Sequence, residues 1–219
     1  MSLVDKAKSI VTTIQKYIND TDSWKQVKQT KEVTVWWKQS PEWSGTLYKA
    51  EGSMEASPET VFSYVDPSPS SPRTKWDKAV KEIQLVEQIE KDVSVIRTLT
   101  HSAFGGIISS RDFVDLVINT NTDEAIATQS MGIEHTSCPG TSDHVRGTNH
   151  PCAIICHRVP GNPERTRLTT YIQTDLGGML PKSVVDSALP SNMVNFFTSL
   201  QKTLQDEGHW KNITNGTES

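Results

Sequence analysis

Residues Pro181 to Leu204 read PKSVVDSALPSNMVNFFTSLQKTL, and the way this stretch folds decides what the rest of the chain is arranged around. Val185, Leu189, Met193, Phe196, Leu200 and Leu204 recur at spacings of four and three, the period that gathers side chains on one face of an α-helix. Lys182, Ser187, Asn195, Gln201 and Gln205 fall opposite, so one side is predicted to face water and the other a large apolar wall. Pro181 suits a first helical position. Pro190 lies inside the pattern, where it removes a backbone donor and disfavours helical geometry at Leu189, so a kink near Leu189 or two helical pieces is expected. The stripe alone fits two roles: a terminal helix sealing a solid core, or a lid over a cavity.

Working outward, 219 residues suffice for one sizeable domain, placed at 1–206 with a polar tail at 207–219. The 26 acidic residues outnumber the 22 basic ones for a net charge of −4, and no basic run is interleaved with aromatics, which argues against nucleic acid as a partner. Near the start, Leu3, Ala7, Ile10, Val11, Ile14 and Ile18 form a stripe among Asp5, Lys6 and Lys8, an amphipathic helix and neither a secretion signal nor a membrane span. A soluble monomer is expected. Three cysteines, Cys138, Cys152 and Cys156, make an odd count that suits the reducing cytoplasm. Cys152 and Cys156 on one strand would stand roughly 13 Å apart, too far for a disulfide. His150 and His157 flank them without a second ligand pair, so neither metal nor cofactor is expected. Asn212 and Asn215 match the glycosylation pattern, by chance if no secretory signal accompanies them.

A helix over Leu3 to Ile18 is followed by a hairpin, Trp24 to Gln29 and Val33 to Lys38, and a third strand over Thr46 to Met54. Ser57 as N-cap and Pro58 at the first position predict a short helix from Glu59 to Val65. After the irregular DPSPSSP stretch, six more strands are predicted: Val80 to Ile89, Val93 to Thr100, Arg111 to Asn119, Glu124 to Glu134, Val145 to Val159 and Arg167 to Leu176. Short turns imply antiparallel neighbours. The total is nine strands with helices at the ends and in one insertion, an α+β architecture whose sheet is long enough to curl around the final helix.

Between two strands, SAFGGIISS (Ser102 to Ser110) sets Phe104, Ile107 and Ile108 around Gly105-Gly106, greasier and longer than a hairpin turn. Such a loop either covers one end of the core or presents apolar groups at a cavity mouth or a bilayer.

IISSRDFVDL (Ile107 to Leu116), VRGTNHPC (Val145 to Cys152) and YIQTDLGGMLPKSVVD (Tyr171 to Asp186), with Trp76-Asp77 and TLYKAEG, resemble the START (StAR-related lipid transfer) domain family. The match runs in order from about Trp24 to Leu204 and is most similar to the small single-domain cytosolic subgroup of StAR-related lipid transfer proteins four, five and six. The resemblance implies a helix-grip fold, a nine-stranded curved antiparallel sheet around a long C-terminal helix with an internal lipid tunnel. It also implies non-enzymatic binding of one sterol and its transfer between membranes by a cytoplasmic protein. A bile acid or phospholipid carrier, or a lipid sensor, is the alternative. Ser102 to Ser110 falls at the family's omega loop, making Phe104, Ile107, Ile108, Leu180 and Lys182 the expected membrane-facing gate.

Sterol-binding relatives often carry an acid on the strand before that loop and a base on the strand after it. Arg97 and Asp115 are the charged residues here, with the polarity reversed. Both accompany apolar neighbours in the alternation, and an unpaired charge in a tunnel is costly, so an Arg97–Asp115 pair inside the tunnel is expected. The alternative leaves both on the outer face. Asn149, Thr170 and Thr174 are the other polar candidates, and Ile172, Leu176, Val185, Leu189 and Phe196 the apolar lining. An enzyme finds little support: the chain has no G-x-S-x-G serine, H-E-x-x-H pair or phosphate-binding glycine loop. His150 beside Asn149 reads as a structural histidine before it reads as a base.

Overall fold

A computed structural model of the chain describes residues 1–180 and 182–210, the side chains of Phe104 and Lys182 excepted. The expectations for Pro181 as a helix start, for Phe104 and Lys182 as gate groups, and for the glycosylation pattern and the tail beyond Trp210 lie outside the described residues.

Helix α1 (Leu3–Asn19) opens with a capping box in which Ser2 Oγ accepts from the Asp5 backbone N–H at 3.1 Å while the Asp5 carboxylate takes the Ser2 N–H. The hairpin β1 (Lys25–Gln29) and β2 (Val33–Gln39) leads to β3 (Thr46–Met54). Ser57 then caps α2 (Pro58–Val65) by accepting from the Thr60 N–H, and the turn α3 (Arg73–Trp76) follows. The remaining strands are β4 (Val80–Glu90), β5 (Val93–Thr100), β6 (Arg111–Asn121), β7 (Ala125–Gly132), β8 (Val145–Arg146), β9 (Thr148–Asn149), β10 (Cys152–Val159), β11 (Asn162–Ile172) and β12 (Thr174–Asp175), before α4 (Lys182–Asp206).

Nine strands form one antiparallel sheet in the order β1-β2-β3-β11-β10-β7-β6-β5-β4, as expected. Two of the strands read from sequence are interrupted. Pro151 has no N–H to donate and separates β9 from β10. Gln173 ends β11: its buried side chain accepts from Ser40 Oγ at 2.6 Å and donates to Tyr17 Oη at 2.9 Å and to the Pro151 carbonyl at 2.8 Å. Beyond these breaks β8 adds to β6 in parallel, and β9 pairs with β12 as a separate ribbon.

The two faces of the sheet bury different sets. Ala7, Ile10, Ile14 and Tyr17 of α1 pack on Val93, Val95, Val114 and Leu116, the convex face. On the concave face, Val33, Val35, Ala50, Ile154 and Leu168 meet Met193, Phe197, Leu200 and Leu204 of α4. Phe197 fits because Gly52 beneath it has no side chain: a Cβ there would stand 3.0 Å from the ring and 2.5 Å from the Glu32 carbonyl. Of the two expected outcomes, two separate helical pieces are not formed: α4 is one continuous helix with Pro190 inside it. The missing hydrogen bond is tolerated because neighbouring turns are pinned, Tyr48 Oη donating to Asp186 at 3.2 Å and Lys28 Nζ to Ser191 Oγ at 3.0 Å.

Candidate functional site

Only the C-terminal half of α4 is packed tightly onto the sheet. The rest of the helix lies over two of three adjoining cavities, of about 430 and 240 Å³; the third, of about 230 Å³, lies deeper against the sheet. The largest lies at the omega-loop end, between Thr100, Ile108, Arg111 and Phe113 on the sheet side and Leu189 and Phe196 on the helix. It shares Leu176 and Leu189 with a second space under Trp43, Tyr48 and Val185, and Thr100 and Phe113 with the inner one. The inner cavity is lined by Ile83, Ile96, Ile154 and Ile172 together with Asp115, Thr128, Asn149 and Thr174. The helix is therefore a seal at one end and a lid at the other.

Of the residues expected at a ligand site, Asp115, Asn149, Ile172, Thr174, Leu176, Val185, Leu189 and Phe196 border these cavities. Phe196 is held between Trp76, at 5.2 Å between ring centroids, and the Arg73 guanidinium at 5.5 Å. Thr170 shares the concave face, opposite Ala50 and Ile154, but is buried outside the lining of the three cavities.

The expected Arg97–Asp115 pair does not form. In the β5–β6 register Arg97 faces Val114 and Asp115 faces Ile96, so the two charges stand on opposite faces of the sheet. Arg97 instead donates to Asp112 at 2.9 Å on the convex side, where Arg146 holds the same carboxylate at 2.8 and 2.9 Å. Asp115 stays alone on the concave side. Asn149 Nδ2 donates to its Oδ2 at 2.9 Å and is itself oriented by Thr174 Oγ1, which donates to Asn149 Oδ1 at 2.7 Å. Asp115 Oδ1 has no hydrogen-bond partner, nor has Thr128 Oγ1 in the same cavity. Burial pushes the Asp115 carboxyl up to about 7, against the smaller opposing pull of the Asn149 N–H and the more distant Arg146.

At the mouth, the omega loop contains a short helical turn, Phe104–Gly106, in which Gly105 and Gly106 have φ of 65° and 91°. These are left-handed conformations that a glycine adopts without strain. Ile107 points outward, 65% exposed, and Met179 across the mouth is fully exposed. Ile108, whose backbone pairs with Ala103, turns inward instead, 6% exposed, and lines the largest of the three cavities. Leu180 is half-buried against the second cavity.

Arg111 was not among the expected site residues, yet it joins both sides of the mouth. Only 3% exposed, it donates to the Leu176 carbonyl at 3.0 Å, to Ser109 Oγ at 2.9 Å and to the Ser109 carbonyl. The omega loop is thus tied to the turn before α4 by one guanidinium whose acceptors are all uncharged. His150 stacks on Trp43 with ring centroids 4.7 Å apart, and its backbone N–H donates to the Gln173 carbonyl at 2.9 Å. Among the described residues, no group of three or more histidine, cysteine, aspartate or glutamate side chains is placed to hold a metal ion, and no helix is long and apolar enough to cross a membrane.

The START domain model matches residues 8–209. StAR-related lipid transfer protein 5 of Bos taurus is 38% identical over 200 residues, covering 91% of this chain and 94% of that protein. StAR-related lipid transfer protein 4 of Homo sapiens is 38% identical over 193 residues, covering 88% and 92%. The solved structure of human StAR-related lipid transfer protein 5 superposes with a TM-score of 0.90 at 35% identity, covering 94% of this chain and 98% of that one.

Proposed function

The chain belongs to the START domain family, and from that premise we propose that it is a non-enzymatic carrier that holds one sterol-class lipid under α4 and passes it between membranes. The observation that carries this reading is the set of adjoining cavities between the concave sheet and the elements that cover it, walled by apolar side chains with a few polar groups, Asp115, Asn149 and Thr174 among them, at the innermost one. The largest of the three, about 430 Å³, lies within the range of roughly 300–1,000 Å³ in which proteins enclose small organic ligands. The names of the relatives, which describe lipid transfer, point the same way.

Energetics fit a carrier. Burying roughly 400 Å² of apolar ligand surface yields about 10 kcal/mol of gross transfer free energy from water. Ordering the ligand and closing the lid offset several kcal/mol of it. A ligand leaving a bilayer starts from an apolar medium, so exchange between membrane and protein is near balance and reversible. Ile107 and Met179, exposed on either side of the mouth, are the groups proposed to enter the bilayer interface while the protein itself works as a cytoplasmic monomer.

The test is transfer of a fluorescent sterol between two liposome populations, wild type beside an Ile107→Asp/Met179→Asp variant. Catalytic amounts of wild type accelerate exchange, and the variant binds sterol normally but transfers it at least tenfold more slowly. No acceleration by wild type removes sterol transfer as the role.

A further inference from the structure

The inner end of the space contains a carboxyl group without a counter-charge. Asp115 is 7% exposed, Asn149 satisfies one of its oxygens, and the other has no partner. Thr98 and Ser130 border the same cavity, and the Thr128 hydroxyl, also unpartnered, lines it further along, opposite Asn119. The charged and titratable groups nearby are committed elsewhere. On β6 itself, Asp112 points to the other face, and Arg111 is engaged with carbonyls at the mouth. From α3, Arg73 and Asp77 reach the cavity but bind each other at 3.2 Å. From β8, Arg146 is bound to Asp112. From β10, Cys152 contributes a thiol that burial pushes up to about 12 and therefore keeps protonated.

Resting on the sterol-carrier reading and deepening it, we infer that Asp115, one oxygen held by Asn149 and the other open to the cavity, is the head-group contact for an uncharged steroid oxygen, and that it distinguishes a hydroxyl from a ketone. The chemistry is one of donors and acceptors. A protonated carboxyl donates one hydrogen bond, and an ionised one only accepts. A steroid hydroxyl serves either form, since it both donates and accepts. A ketone only accepts, so it needs the protonated form, and beside the ionised form it leaves two buried acceptors facing each other. A carboxylate head would meet a like charge in a water-poor site. With the carboxyl raised to about 7 by burial, the two forms exchange near neutral pH, and ketone binding takes up a proton as the medium becomes alkaline.

The experiment is displacement of a fluorescent sterol by two steroids identical except for a 3-hydroxyl or a 3-ketone, at pH 6 and pH 8.5, on wild type and Asp115→Asn. For wild type, the ketone weakens by about thirtyfold across that interval while the hydroxyl changes by less than about threefold. Asp115→Asn, which cannot ionise, removes the dependence for the ketone. Equal pH profiles for the two steroids, or a ketone profile that survives in Asp115→Asn, overturns the assignment. If Asp115→Asn does not fold, the two wild-type profiles decide by themselves. Absence of fluorescent-sterol binding at both pH values has a different meaning: it overturns the sterol-carrier reading and this site with it.

Discussion

Asp112 and Asp115 stand on the same strand, both withdrawn from solvent, and the two faces of the sheet treat them in opposite ways. On the convex face, Asp112 is clasped by Arg97 and Arg146. Burial alone would raise its carboxyl, but hydrogen bonds from the two arginines outweigh burial and hold it below the usual range. On the concave face, Asp115 has one amide contact and an open oxygen, and burial wins. The convex side is finished: its charges are matched and its apolar groups are covered by α1. The concave side leaves both a polar group and a volume unmatched, which is how a fold accommodates something that is not part of the chain.

The largest effect that can break this comparison is on the finished side. Asp112→Ala leaves two arginines without their carboxylate and is expected to cost about 3–5 kcal/mol in denaturant unfolding. A cost below about 1 kcal/mol would mean that the convex triad is ornamental. Asp115 should behave in reverse. Its carboxyl is raised in the folded state, so the folded protein holds a proton that the unfolded chain has released. Stability is then highest below the ordinary carboxylate range, declines between about pH 4 and pH 7, and is level above. Asp115→Asn should abolish that decline, so its stability relative to wild type rises by up to about 1.4 kcal/mol per pH unit in the window. Parallel pH profiles for the two proteins would contradict an uncompensated Asp115.

Along α4 the same contrast is smaller. Leu200 is fully buried in the tight half, and Leu200→Ala is expected to cost about 3 kcal/mol. Leu189 borders the cavities, and Leu189→Ala should cost roughly 1 kcal/mol, because its far side already faces open space. Equal losses at both positions would mean that the lid half is packed like the seal. Smallest of all, Ile107→Asp at the exposed loop tip should change stability by less than about 0.5 kcal/mol, measured by thermal melting, whatever it does to transfer.

Much of this fold is legible in the residues, because its main elements announce themselves by period and caps. The apolar stripe of α4, the Ser57-Pro58 start of α2 and the alternation of the long strands all depend on neighbours in sequence. Register does not. The alternation shows that Phe113, Asp115 and Val117 share a face and that Arg97 goes with Val95 and Leu99, but which face meets which is fixed only when β5 pairs with β6. The choice between Phe196 and Phe197 has the same origin. The stripe selects Phe196, whereas Gly52 opens a hole that only the three-dimensional approach of α4 reveals, and Phe197 fills it. Arg111 gave no signal, since an arginine at the start of a strand ordinarily reaches water, and its carbonyl partners lie at residues 109 and 176–177, on segments brought together by the fold. Gln173 was hidden for the same reason.

The central claim is that the unfinished concave side is where the lipid resides. Photo-crosslinking tests it most directly: a sterol carrying a photoreactive diazirine is loaded into the full-length protein, irradiated, and the modified residues are mapped by mass spectrometry. The account predicts adducts on cavity-lining residues such as Ile154, Ile172, Leu189 and Phe196, at one sterol per chain and competed by unlabelled sterol. Adducts confined to the α1-covered convex face or to the outer surface would contradict it.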